Sequence, residues 1–221
     1  MTIVDPRIPL AVHDLWSALE AEVVWLHGRW IIYRQLYGTS SERIQLLNES
    51  AGTFFNVLNQ TLLHDVQLSL SKLGDPAGTG ARTNMTLAAL VEAFKNCSEN
   101  EIVAKVEPLL AAFNASCSKI RHRRNKWIAH FDRTTMLGSK VNPRQGPSRN
   151  EIEVALEALR NFMNCVQLHY LESQTMYSDF VMDSDGEHLI FALKRAVRYK
   201  QLVKDKIIPH DDLRNHFKSG A

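Results

Sequence analysis

Apolar residues recur at three- and four-residue intervals almost throughout the chain, and neither a sustained alternation nor an Asn-Gly hairpin signal interrupts them. That period belongs to helices that pack along one face, so the chain reads as all-α, a bundle of about five to six helices. The first helix is predicted from about Pro9 to Tyr37, closed by Gly38, and the second from about Ser41 to Leu73, where "GDPAGTG" forms a loop. A short third helix fits "TLAALVEAFK". The fourth opens on the capping box Ser98-x-x-Glu101, kinks or restarts at Pro108 and runs to about Phe131, ahead of the polar loop "GSKVNPRQGPSR". Ser148-x-x-Glu151 caps a fifth helix to about Gln174, and Ser184-x-x-Glu187 a last one to about Lys204. Trp16, Trp25, Trp30, Phe54 and Phe55 fall at helical spacings and are assigned to the core. The expected organisation is a helical domain over residues 1–180, with a C-terminal helix and tail, 181–221, packed on it or partly mobile.

One position breaks the pattern. Turning about 100° per residue, Val106, Leu109, Phe113, Cys117, Ile120, Trp127 and Phe131 form a single stripe, and Arg124 lands in the middle of it. A guanidinium there is costly unless an anion or acceptor meets it, so Arg124 is either tied into a structural ion pair or held for a charged ligand. Around it the stretch "KIRHRRNKWIAHFDR", Lys119 to Arg133, threads cations between aliphatic and aromatic residues.

Composition narrows the chemistry. A chain of 221 residues, 45% hydrophobic and 23% charged, suits one large domain or a domain with a small appendage. Net charge is only +2, so nucleic-acid affinity would have to come from local clusters such as that stretch. Cys97, Cys117 and Cys165 are odd in number and widely spaced, which argues against a disulfide framework or a zinc site and for a reducing cytosol. No signal-like segment opens the chain, and the apolar run "VVWLHGRWIIY" is broken by His27 and Arg29 short of a membrane span, so a cytoplasmic protein is expected. "DSDGEH", Asp183 to His188, lacks the later ligands of a calcium loop and reads as a helix N-terminus, and "HDD", His210 to Asp212, reads as a tail. No zincin spacing, nucleophile elbow or Walker loop occurs, so neither a metal nor a cofactor is expected.

Arg124, Asn125 and His130 remain, and together they suit RNA. An imidazole near neutral pKa takes the 2′-hydroxyl proton or protonates the leaving 5′-oxygen, while a guanidinium steadies the phosphorane-like transition state. Asn125 adds a donor and an acceptor to fix the imidazole or a phosphate oxygen. On a straight helix Arg124 and His130 stand about 120° apart, whereas Arg123, Lys126 and His130 share a face. Either the Arg124 side chain curls round, or the helix bends, or a second copy of the helix completes the site. The competing reading is a solvated basic helix end whose cations suit the helix dipole.

Arg124, Asn125 and His130 match the arginine, four to six residues, histidine signature of HEPN domains, and the chain resembles the AbiU-type branch of that superfamily, associated with abortive phage infection. "LSLSKLGDPAGTG", "NMTLAALV" and "IRHRRNKWIAHFD" carry the likeness. The resemblance implies a HEPN-like bundle that dimerises through the helix carrying Arg124 and His130, so that two motifs face one cleft and Arg124 reaches it from the apolar stripe. It implies metal-independent endoribonuclease activity in phage defence or as the toxin of a toxin-antitoxin-like system, with RNA as substrate and an antitoxin or defence protein as partner. His130 would be the general acid/base, Arg124 the phosphate and transition-state stabiliser, and Asn125 the orienting group. Arg121, Arg123, Lys126 and Arg133 would guide the RNA. Asp132 stands where toxins silenced by a nucleotidyltransferase often carry a tyrosine. Arg123 also satisfies the spacing, but Arg124 has the polar neighbour that the family places beside its arginine. The alternatives are a non-catalytic RNA-binding module, and a structural helical protein in which Arg124 pairs with an aspartate such as Asp65 or Asp75.

Overall fold

A computed structural model describes residues 7–79, 82–128, 146–179 and 181–209. The fold is all-α, as the apolar period predicts. Its helices are α1 Leu10–Tyr33, α2 Ser41–Leu73, α3 Leu87–Asn96, α4 Asn100–Ser116, α5 Ser118–Arg123, α6 Arg149–Leu171 and α7 Gly186–Lys204. Wider π turns follow α1 at Arg34–Gly38 and α5 at Arg124–Ile128, and a 3-10 turn spans Tyr177–Asp179. Sheet among the described residues is one short antiparallel ladder, Gly78 with Thr83 and Thr79 with Arg82.

The described residues form two compact units, one from residues up to Trp30 and from Leu62 to Val181, the other from Ile31–Thr61 and from Met182 onward. In the first unit α1 buries Val12, Trp16, Leu19, Val23 and Leu26 along one face, and α4 packs most extensively on α6. Val106, Phe113, Cys117 and Ile120 are fully buried, as their stripe predicts, and so are Ile152, Leu156, Leu159, Phe162 and Met163 of α6. Each large apolar side chain buried in this way contributes about 1.5–3 kcal/mol, which makes α4 to α6 the anchor of the unit. Burial also pushes the Cys117 thiol up to about 11. The buried Trp30 indole keeps its hydrogen bond by donating to Glu153 Oε1 at 2.7 Å. Trp16, Trp30 and Phe55 are in the core, but Trp25 is 57% and Phe54 61% exposed, so helical spacing alone misassigned those two.

The fourth predicted helix differs in three ways. Ser98 does not cap it: its φ is +61°, and its N–H and that of Glu99 return to Lys95 and Phe94, so Ser98 closes α3 instead. The helix runs through Pro108 unbroken, because Ala104 and Pro108 are both exposed and the carbonyl that proline cannot bond faces water. The restart comes at Cys117, just after Ser116, whose hydroxyl bonds the Phe113 carbonyl at 2.7 Å and competes with the backbone ladder. The Ser148–Glu151 capping box is present as read.

In the second unit α2 begins at Ser41 and breaks at Ala51 (φ −160°, ψ 68°), between Ser50 and Gly52, a pair that favours kinks. The Tyr37 hydroxyl donates to the Phe55 carbonyl at 2.8 Å. The N-cap of α7 is Asp185, one residue after Ser184, and its carboxylate accepts from the Glu187 and His188 N–H groups. Gln35 donates to Asp185 and accepts from Gly186 N–H, and Arg43 forms a two-pronged pair with Glu187 at 2.6 and 2.9 Å. "DSDGEH" is thus a helix start.

Candidate functional site

The candidate site lies in the first unit, where the end of α2 and the loop after it meet α5 and the π turn. The helix stops at Leu73, and the Arg121 guanidinium of α5 donates to both the Gly74 carbonyl and Asn114 Oδ1. A Cβ on Gly74 would lie 2.8 Å from Asn114 Oδ1 and 3.1 Å from Arg121 Cζ, so this approach requires a residue without a side chain. Arg121 therefore fastens the loop, and the next residue, Asp75, is held where Arg124 can reach it.

Arg124 Nη1 donates to Asp75 Oδ2 at 2.7 Å, and its Nε to Asn125 Oδ1 at 3.0 Å. The pair is not sealed, since the Arg124 side chain is 20% and that of Asp75 29% exposed. Nη2 of Arg124 has no partner among the described residues. The other aspartate the sequence offered, Asp65, pairs with Arg29 Nε at 2.8 Å. Arg124 opens the π turn Arg124–Ile128, whose bonds reach five residues instead of four, so straight-helix angles do not hold across that turn.

Arg123 packs its guanidinium over Gly146, and burial lowers its pKa from the ordinary value. His64 of α2 is also held below its ordinary value, first by burial and then by the charge of Arg123, which keeps the imidazole neutral near neutral pH. Asn125 is exposed and Lys126 half-buried on the π turn. His130 and Arg133 lie outside the described residues, as do Phe131 and His210 to Asp212. Beside Asp75 opens a cleft of about 450 Å³, lined also by Glu22, Ser69, Lys72, Asn84 and Met85. The described part of the site thus offers an oriented, partly exposed guanidinium, a donor suited to an anionic ligand, whose partner Asp75 lines the cleft while Arg124 itself does not.

Sequence reasoning missed Asn114, Gly74 and His64. Asn114 stands seven residues before Arg121, two helical turns back on the same side, a spacing that could have pointed to it. Gly74 was read only as a loop residue, and for His64 nothing in the sequence signals proximity to Arg123. Among the described residues no His, Cys, Asp and Glu side chains gather as a group of three metal ligands, and no helix is long and apolar enough to cross a membrane.

A model of the HEPN family described as AbiU2 matches residues 10–189. No match was found among curated proteins or solved structures. The matched span contains every helix of the first unit, the loop that carries Asp75 and the turn that carries Arg124. The chain belongs to the AbiU2 family of HEPN domains.

Proposed function

We propose that the chain is a metal-independent endoribonuclease of the cytoplasm that acts in phage defence by abortive infection or as the toxin of a toxin-antitoxin-like system. HEPN modules are often ribonucleases of defence systems, which supports this class. The observation that carries the reading is the guanidinium of Arg124, oriented on two edges by Asp75 and Asn125 with Nη2 left for a phosphate oxygen. An oriented donor aimed at developing charge is the usual source of transition-state stabilisation in phosphoryl chemistry. Arg124 serves that role, His130 is the general acid/base, and Asn125 fixes the arginine. Lys126, Arg123 and Arg133 guide the RNA, while Arg121 holds the loop. A homodimer through this helix brings two motifs to one cleft.

The ion pair to Asp75 favours a second reading, in which Arg124 is structural and the module binds RNA without cutting it or serves as a scaffold. Incubation of the pure protein with total RNA in EDTA, with the ends mapped, separates the two. Cleavage is expected to survive the chelator and to fall about 10²- to 10⁴-fold in His130→Ala, with RNA affinity nearly intact. A His130→Ala variant within about threefold of wild type would remove His130 from the chemistry.

A further inference from the structure

The cations of α7 form a dense group. Elsewhere Arg29, Arg43, Lys95, Lys105, Lys119 and Arg124 are each paired with a carboxylate. Over residues 187–206 the chain carries six cations and two carboxylates, net +4, against +2 for the whole sequence. Both carboxylates are engaged, Glu187 by Arg43 and Asp205 by Gln201 at 2.8 Å. Lys194, Arg195, Arg198, Lys200 and Lys204 meet no carboxylate among the described residues, and all five are exposed. Only the first turns of α7 are pinned, through Gly186 and Ile190, which are its buried residues.

Aromatic surface is interleaved with the charge. The Arg195 guanidinium lies over the Phe191 ring at 4.2 Å, and that ring is 54% exposed. Exposed cations with a stacking face are the equipment of a single-strand binder, because phosphates are held by charge and any base can stack. Lys194, Arg195 and Arg198 occupy one side of the helix and Lys200 and Lys204 the other, an arrangement that a flexible strand follows better than a rigid duplex. Leu189, Leu193 and Val197 fall within about 80° of one another, but Lys200 and Lys204 interrupt that side and the exposed Phe191 stands on the other, so α7 has no uninterrupted apolar face for a lipid surface. The family match ends at residue 189, and nearly all of these residues lie beyond it.

We propose that α7 is a second RNA-contacting element, in which Lys194, Arg195, Arg198, Lys200 and Lys204 hold the backbone of single-stranded RNA and Phe191 stacks a base. The proposal rests on the reading of the chain as an RNA-acting module, but not on catalysis. Its test is fluorescence anisotropy with a labelled single-stranded 2′-O-methyl RNA, which cannot be cut by 2′-hydroxyl attack, across a salt series.

The variant with all five cations changed to glutamine is expected to lower the slope of log affinity against log salt by up to about 3.5. Each double variant, Lys194→Gln with Arg198→Gln or Lys200→Gln with Lys204→Gln, is expected to lower it by up to about 1.4 and guards against misfolding of the quintuple variant. Phe191→Ala is expected to weaken binding about fivefold or more with the slope unchanged, and exchanging lysine for arginine should preserve binding. Slopes and affinities within error of wild type in both doubles would overturn the proposal. So would tighter binding to phosphatidylserine vesicles than to the RNA, or a dimer that dissociates when the cations are removed. Cleavage of natural RNA with α7 indifferent sinks this inference alone. RNA held by α7 without cleavage sinks the ribonuclease reading alone.

Discussion

His27 makes the stability of the protein depend on pH between about 4 and 6.5. The ring is 2% exposed, its Nδ1 meets the Val23 carbonyl at 2.8 Å, and its Nε2 is buried with no partner among the described residues. The Nδ1–H tautomer follows, and a second proton would find only minor help, from the charge of Glu153 and the Leu156 carbonyl. The imidazole is held down to about 4 from an ordinary 6.5, first by burial and, against the help of the Val23 carbonyl, by the charge of Arg160. The unfolded chain therefore takes up this proton below about 6.5 and the folded chain only below about 4. Between those values the unfolded state binds more protons, so stability falls as pH falls. The full effect is about 3 kcal/mol, and on going from pH 7.5 to 4.5 about 2.5 kcal/mol should disappear.

Urea unfolding followed by tryptophan fluorescence, with Trp16 and Trp30 buried in the same unit as His27, measures the loss. His27→Gln keeps a donor but cannot be charged, so its curve should lose the component between pH 4.5 and 6.5. Carboxylates held low by partners, such as Glu151 at about 2 beside Lys119 and Ser148, add an acid loss at lower pH that both proteins share. Wild type and variant that run parallel from pH 7.5 to 4.5 would refute the assignment.

Gly74→Ala places a methyl against Arg121 and Asn114, and should cost about 1–3 kcal/mol by overpacking, read as a lower urea midpoint; a midpoint equal to wild type would mean that Arg121 moves aside freely. Asp75→Asn keeps the shape of the loop but removes the charge facing Arg124, and because that pair is partly exposed the loss of stability should stay near 1 kcal/mol. RNA cleavage by the same variant should fall at least tenfold if Asp75 orients the arginine, and unchanged cleavage would reduce the pair to a structural contact. Light scattering at micromolar concentration should find a dimer, and a monomer would count against a shared cleft.

The elements that the sequence made legible are those in which local chemistry and burial agree. Ser41 and "GDPAGTG" bound α2 at the residues read from them, and the Ser148–Glu151 box sits where its spacing put it, because a capping side chain bonds backbone only three residues away. Ser98 shows how that signal fails. It has the spacing of a cap, yet α3 ends immediately before it, and the exit of that helix uses Ser98 in a left-handed conformation. Trp25 and Phe54 fail for another reason: periodicity tells which side chains share a face, while the packing of other elements decides whether that face is covered.

Arg124 was legible as an anomaly because a guanidinium on a buried stripe costs more than any propensity can offset. Its partner was legible only as a choice between Asp65 and Asp75, and the end of α2 makes the choice. Asp65 is still within the helix and turns to Arg29, whereas Asp75 comes after Leu73, where the backbone is free to leave the helical path and is tied by Arg121 beside the π turn. Angular arithmetic could not have supplied this, since it assumes one straight helix from Val106 to Phe131, and the chain restarts at Cys117 and widens at Arg124. Phase is kept where the helix is regular, through Val106, Phe113 and Ile120, and the widening begins at Arg124. Arg124, still helical at the head of the widened turn, meets an aspartate of another element, and the partner comes from the tertiary approach of the loop after α2, which no helical phase encodes.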